Sequence, residues 1–209
     1  TEVKQGTACQ TIWKYTDVGH NQDAKKEVND LFPEGAVFDT PKPTQLIKRI
    51  IQVATDKTDL VLDFFAGSGT TGQAVISQNA EDGGTRQFIL VQIPQPIDAK
   101  KQKEAHHFVT QTLGRSEATI FEITAERIRR AGAKLEAELA AKASTGSART
   151  DALDTGFRVF ELVDDPDALI LQKPLQDATQ DDLATLQLSI ATPQPAQLPR
   201  VLHNLLLAE

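Results

Sequence analysis

The sequence predicts an α/β fold built on a parallel strand–helix–strand unit, followed by a long helix and a small C-terminal appendage. Three observations predict it. Leu60-Val61-Leu62 and Phe88-Ile89-Leu90-Val91 are short apolar runs bounded by turn residues, the pattern of central strands in a sheet covered on both faces. A helical stretch, Thr70 to Gln78, separates them, and strand, helix and strand within about thirty residues form the parallel βαβ unit with its right-handed crossover. Ser116 to roughly Lys142 then reads as one long helix, in which Phe121, Ile128 and Leu135 recur every seven residues, with Leu139 beyond.

The elements follow in order. Residues 1–37 read as irregular, with Ile12, Trp13, Val18, Val28, Leu31 and Phe32 sparse among polar residues. Trp13 and Tyr15 suit a small hydrophobic anchor better than a base-stacking pair, because aromatic side chains mostly serve packing. Phe38-Asp39-Thr40-Pro41-Lys42-Pro43 is a rigid extended segment, since each proline drives the residue before it out of the helical region. A helix follows, with Leu46, Ile47, Ile50, Ile51 and Ala54 at helical spacing and Lys48 and Arg49 on its other face. Asp56 to Asp59 is a turn before the first strand, and Glu81-Asp82-Gly83-Gly84 is a turn before the second, which ends at Gln92. Ser116 suits the N-cap of the long helix, with Glu117 in its first turn. Too few heptads are present for a partner-helix seam to be preferred over packing on its own domain. Ser144-Thr145-Gly146-Ser147 is a linker, Phe157 to Val163 a strand, and the chain from Asp164 is acidic, proline-spotted and leucine-rich.

Bulk properties bound the function. The chain has 209 residues, 40% hydrophobic and 24% charged, the composition of a soluble globular protein. No apolar run approaches a membrane span, and the start has no signal-peptide pattern. A single cysteine, Cys9, excludes an internal disulfide framework and a cysteine zinc cluster; a cytoplasmic location is expected. The net charge of −7 argues against a whole surface that grips a nucleic-acid backbone. A start at Thr1 and the lack of any methionine suggest a piece of a longer polypeptide.

Val61 to Gly72 carries the chemistry. An apolar strand ends in Asp63, and a small-residue loop, Ala66-Gly67-Ser68-Gly69, leads into a helix. Gly67-Ser-Gly69-Thr-Thr-Gly72 has the spacing of a dinucleotide-binding turn. Against that reading, Asp63 would lie close to a doubly charged pyrophosphate, and the ribose position carries Gln92 in place of a carboxylate, though a glutamine can still bond a hydroxyl. A phosphate-binding P-loop has similar glycines, but Gln73 and Ala74 stand where its lysine and hydroxyl residue belong. S-adenosyl-L-methionine (AdoMet) fits better. Asp63 can accept a hydrogen bond from its ammonium group, Gly67 and Gly69 let the main chain approach, and the helix N-terminus with the Ser68 and Thr70 hydroxyls can receive its carboxylate.

These residues carry a family resemblance. Asp63-Phe-Phe65-Ala-Gly-Ser-Gly-Thr-Thr71 resembles the AdoMet motif of DNA amino-methyltransferases. Thr40-Pro41-Lys42-Pro43, followed by Leu46-Ile47, resembles that family's second cofactor segment, and its place ahead of the glycine loop matches the permuted β-class. Phe88 to Gln92 with Ile93-Pro94, Ala125 to Ala131, and Gly156 to Phe160 extend the likeness over residues 10–163, to the modification (Mod) subunits of type III restriction–modification systems.

The resemblance implies a partial Rossmann-like AdoMet-dependent methyltransferase sheet acting in site-specific methylation of adenine N6. It places Asp63, Phe65, Ala66, Gly67, Gly69 and Thr70 at the methionine end of the cofactor, Thr40, Pro41 and Lys42 over it, and Gln92 at the ribose. It divides the chain into residues 1–37 (the end of a target-recognition region or a connecting segment), 38–115 (the AdoMet-binding portion), 116–143 (the long helix) and 144–209 (the appendage). DNA is the implied partner, through the full-length protein. The long helix suits either a homodimer or a restriction subunit, and the residues do not choose between them.

The family's catalytic Asp/Asn/Ser-Pro-Pro-aromatic motif orients the exocyclic amine of a flipped base. It is absent, since no two of the ten prolines are adjacent. The permuted order puts that half upstream of Thr1, so the chain alone is expected to be inactive. His106-His107, Asp164-Asp165 and Asp181-Asp182 read as solvated groups, and no metal site is expected.

Overall fold

The computed structural model describes residues 11–143 and 153–162, together with residue 180. The chain divides into two units, Thr1–Phe157 and Arg158–Glu209. The first contains α1 (Tyr15–Val18), α2 (Asn21–Leu31), α3 (Thr44–Ala54), β1 (Leu60–Asp63), α4 (Thr70–Asp82), β2 (Gln87–Leu90), α5 (Lys103–His107), a wide π-type turn (Phe108–Thr112) and α6 (Ile120–Ala143). The Ser144 to Ser147 linker and the segment from Asp164 lie outside the described residues, apart from residue 180.

The βαβ unit forms as its sequence predicts. β1 and β2 pair in parallel, with Leu60 opposite Gln87 and Asp63 opposite Leu90. The connecting helix runs on past Gln78 to Asp82, absorbing the start of the expected turn, and stops where Gly83 takes a left-handed conformation at φ 77°. Asn79 ties its last turn to the second strand: its side-chain amide donates to the Arg86 carbonyl at 2.8 Å, and its amide oxygen accepts from the Arg86 N–H at 3.1 Å.

The sheet departs from expectation. Both runs read as central strands covered on two sides, yet the sheet among the described residues has two strands and one covered face. Val61 and Phe88 pack on Ile47, Ile51, Ala74 and Val75 of α3 and α4. Leu60, Leu62 and Ile89, on the opposite face, are 55%, 48% and 49% exposed. The helices supply a layer for one side only, whereas the strand composition is apolar on both.

The N-terminal region also corrects the irregular reading. α2 is an 11-residue helix that buries Ala24, Val28 and Leu31. It opens with a capping box in which His20 Nδ1 accepts from the Asp23 N–H at 3.3 Å and Asp23 accepts from the His20 N–H at 3.0 Å. Tyr15 stacks on His20, with ring centroids 5.6 Å apart. A second core joins α2 to α6: Val28, Leu31, Phe32, Val37, Ile97, Ala105, Phe108, Val109, Ile123 and Ala131 cluster together. Arg130 lies over the Phe32 and Phe108 rings, donates to the Leu31 carbonyl at 2.9 Å, and grips Glu34 with two bonds of 2.8 and 2.7 Å.

Three further expectations shift. Lys48 is buried and ion-paired with Glu81 of α4, not on an outer face, while Ile50 is exposed. The long helix begins at Ile120, not near Ser116. Thr119 makes an antiparallel bridge with Pro96, and the Ile97 and Ile120 N–H groups donate to Ala118 and Gln95 at 2.8 and 3.0 Å, so this backbone is tied to an extended partner. Of the strand expected over Phe157 to Val163, residues 157–162 are described and form none.

Candidate functional site

The glycine loop joins β1 to α4 and is held by the backbone on both sides. The Val91 N–H donates to the Asp63 carbonyl at 2.8 Å, and the Ala66 N–H to the Val91 carbonyl at 3.1 Å. Gln92 braces the turn, its amide oxygen accepting from the Gly67 N–H at 2.8 Å and its amide donating to the Ile93 carbonyl at 2.9 Å. The Asp63 carboxylate accepts from the Phe65 N–H at 3.0 Å and from the Thr71 hydroxyl at 2.5 Å. A carboxylate offers about four acceptor sites, so Asp63 keeps capacity for another donor, and it is only half-buried. Phe65 beside it is 85% exposed.

Two glycines are required by geometry. Gly69 caps α4 at φ +81°, and a Cβ there would lie 3.0 Å from the Thr124 carbonyl oxygen of α6. At Gly72 a Cβ would meet Ile128 and Leu90 methyl carbons at 3.1 Å each. The absence of side chains thus lets α4 press against α6 and lets backbone line the turn.

The Thr40–Pro43 segment comes to the same place. The Lys42 carbonyl accepts from the Thr70 hydroxyl at 3.3 Å, and the Phe38 ring stands 3.7 Å from a Cβ placed on Gly67. Thr40 and Lys42 are exposed and Pro41 is buried. A hollow of about 190 Å³ lies beside this segment, lined by Phe38, Asp39, Thr40, Ile97, Gln102 and Ile123 among others; of the expected ligand residues it includes Thr40 alone.

The Ser68 and Thr70 hydroxyls turn inward. Both residues are buried, and each hydroxyl accepts from Nη1 of Arg127, at 2.6 and 2.8 Å. Arg127 is wholly buried. Its Nε donates to Gln73 Oε1 at 2.8 Å and its Nη2 to Thr44 Oγ1 at 3.4 Å, with the Glu27 carboxylate 4.0 Å away. Burial lowers its pKa to about 10, with the charge of Glu27 opposing, so it is a cation at neutral pH. Thr124, also on α6, donates from its hydroxyl to the Gly67 carbonyl at 2.5 Å. The sequence pointed to none of Arg127, Thr124, Thr71 and Thr44 as site residues. Arg127 falls in the Ala125 to Ala131 segment, which carries resemblance but no assigned role, and the bonds that tie Arg127 and Thr124 to the loop reach residues more than fifty positions away in the chain.

Among the described residues no group of three or more His, Cys, Asp or Glu could hold a metal ion, and no helix is long and apolar enough to cross a membrane. The site has a carboxylate with spare acceptor capacity, bare backbone, an exposed aromatic ring and a second segment locked against the loop. That set suits an amino-acid-like ligand end.

A family profile described as DNA methylase matches residues 1–129. The chain belongs to that DNA methylase family. Relatives agree with the membership. The chain is 42% identical over 171 residues to the type III restriction-modification enzyme StyLTI Mod subunit of Salmonella typhimurium, covering 82% of this chain and 22% of the relative. It is 38% identical over 156 residues to the EcoPI Mod subunit of Escherichia phage P1, covering 74% and 21%. A type II methyltransferase of Klebsiella pneumoniae, M.KpnI, is 40% identical over 87 residues, covering 42% and 20%. This methylase-family chain therefore spans about a fifth of the length of the Mod subunits it matches.

Proposed function

We propose that this chain is the AdoMet-binding portion of a site-specific DNA adenine-N6 methyltransferase of a restriction–modification system. The observation that carries the reading is the joining of two cofactor-type segments, 40–44 and 63–73, into one locked unit around Asp63 and the glycine loop. In the reading, Asp63 accepts from the cofactor's ammonium group, Gly67 and Gly69 let the main chain approach its methionine end, and Phe65 and Ala66 flank that end. Thr40, Pro41 and Lys42 cover it. Ser68 and Thr70 hold the loop in shape, and Gln92 braces it beside the ribose. When bound, AdoMet supplies a methyl group on a positively charged sulfur, and the carboxylate of Asp63 favours that charge. The two-stranded sheet is, on this reading, part of a larger Rossmann-like sheet.

The groups that would orient a flipped adenine are not in this sequence, which has no Pro-Pro pair among its ten prolines. DNA and a restriction subunit are the partners proposed for the full-length protein on the strength of the Mod relatives, and a second copy of the chain is proposed from the long helix alone. Calorimetry with S-adenosylhomocysteine and with NAD tests the cofactor assignment. Binding of the first is expected, and tight NAD binding with no response to S-adenosylhomocysteine refutes it. The purified chain is expected to transfer no methyl group to an adenine-containing duplex, and measured transfer would overturn the division of labour.

A further inference from the structure

We infer that Arg127 is a positioning residue of the cofactor site, locking the glycine loop to the Lys42–Thr44 segment in the arrangement the methionine end requires. The inference rests on the AdoMet reading above and assigns a role to a residue that reading does not use.

The hydrogen bonds have a direction. A guanidinium only donates, so the Ser68 and Thr70 oxygens must accept from Nη1, at 2.6 and 2.8 Å. The Thr70 proton then goes outward to the Lys42 carbonyl, 3.3 Å away. The Ser68 hydroxyl, 3.2 Å from Thr70 Oγ1, donates to it. One buried cation thereby fixes both hydroxyls and ends the chain of bonds on the second cofactor segment. A second branch reaches the same segment through Thr44, whose hydroxyl accepts from Nη2 and whose N–H donates to Glu27 at 3.0 Å. A third holds Gln73 in the first turn of α4.

The arrangement is costly, which is why it calls for a role. Arg127 is wholly buried and its nearest counter-charge, Glu27, lies 4.0 Å off and is partly exposed. Buried charges are tolerated when fully hydrogen-bonded, and an apolar residue of similar volume often serves stability as well or better. What an apolar residue cannot do is hold four acceptors on two segments at fixed angles, and a lysine, without the planar fork, can hold only some of them.

The test is titration of the 209-residue chain with two probes. S-adenosylhomocysteine carries the amino-acid end, and 5′-methylthioadenosine lacks it. In Arg127→Met, affinity for S-adenosylhomocysteine is expected to fall at least about tenfold, while affinity for 5′-methylthioadenosine changes by less than about threefold. Arg127→Lys should recover part of the loss. Gln73→Met removes one acceptor at a half-buried position and should shift the two probes apart in the same sense, which decides the matter if Arg127→Met does not fold. Equal losses for both probes, or Arg127→Lys no better than Arg127→Met, would overturn the proposal while leaving the AdoMet reading intact. A wild-type chain that binds neither probe would overturn both.

Discussion

Replacing Gly69 by alanine puts one methyl group where two helices leave no room for it. The backbone at Gly69 has φ +81°, and the new Cβ would lie 3.0 Å from the Thr124 carbonyl oxygen and 3.3 Å from its methyl carbon. The left-handed conformation costs a non-glycine residue about 1–2 kcal/mol. Reduced freedom of the unfolded chain offsets about 0.4–1 kcal/mol of that. The overlap falls on a backbone oxygen in the second turn of α6, which cannot rotate away, so it acts as overpacking and adds about 1–3 kcal/mol. A net loss of about 1–4.6 kcal/mol follows. Gly114 is the internal control: it too has a positive φ, +65°, but a Cβ there meets nothing within 4 Å. Gly114→Ala therefore carries only the conformational part, about 0–1.6 kcal/mol after the offset. Urea denaturation of both variants separates the contributions. If Gly69→Ala lies within about 0.5 kcal/mol of Gly114→Ala, the close approach of α4 to α6 is not a constraint and the reasoning fails.

Two other expectations follow from the same geometry. Asp63→Ala removes the acceptor of the Phe65 N–H and the Thr71 hydroxyl; stability should fall by about 1–3 kcal/mol and S-adenosylhomocysteine affinity should fall with it, whereas unchanged affinity by calorimetry removes the carboxylate from the site. The Glu34 carboxyl is held below its ordinary value of 4.5 by the hydrogen bond from Arg130, against a smaller opposing effect of burial. A carboxylate depressed in the folded state stabilises above its unfolded-state value and loses that contribution as pH falls through the folded one. Wild-type stability should therefore drop more steeply than that of Glu34→Gln as the pH is lowered from about 4.5, and parallel curves by urea unfolding would contradict the assignment.

The central unit was legible because its signals are local. Two apolar runs, a glycine loop and a carboxylate between them specify β1, α4 and β2 within one window. The segment at Thr40 to Pro43 was legible as a neighbour of the loop only through resemblance, since nothing in Thr-Pro-Lys-Pro states what it will touch. α2 escaped because its apolar stripe is thin, with only Ala24, Val28 and Leu31 buried, and because its cap is a histidine, which stands outside the usual Ser, Thr, Asp and Asn set. Lys48 was placed outside by the default for charged residues, and its partner Glu81 lies 33 residues on. The start of α6 was misplaced because Ser116 looks like a cap while the competing bridge of Thr119 to Pro96 is not local. Arg127 was hidden for the same reason, all of its side-chain bonds being to residues at least 54 positions away.

The bare face of the sheet has a consequence for how this chain behaves while it folds. In most domains sticky strand surface is exposed only in passing, by intermediates, and native packing removes the hazard. Among the described residues Leu60, Leu62 and Ile89 stay exposed, so for this chain by itself completion of folding does not end the risk of self-adhesion. Adjacent residues of β1 thus answer to different pressures. Val61 is held in place by the core behind it, and a polar substitution there would cost stability. Leu62, one position on, could become threonine at little cost to the chain alone, and its apolar character suits the larger sheet of the proposed methyltransferase.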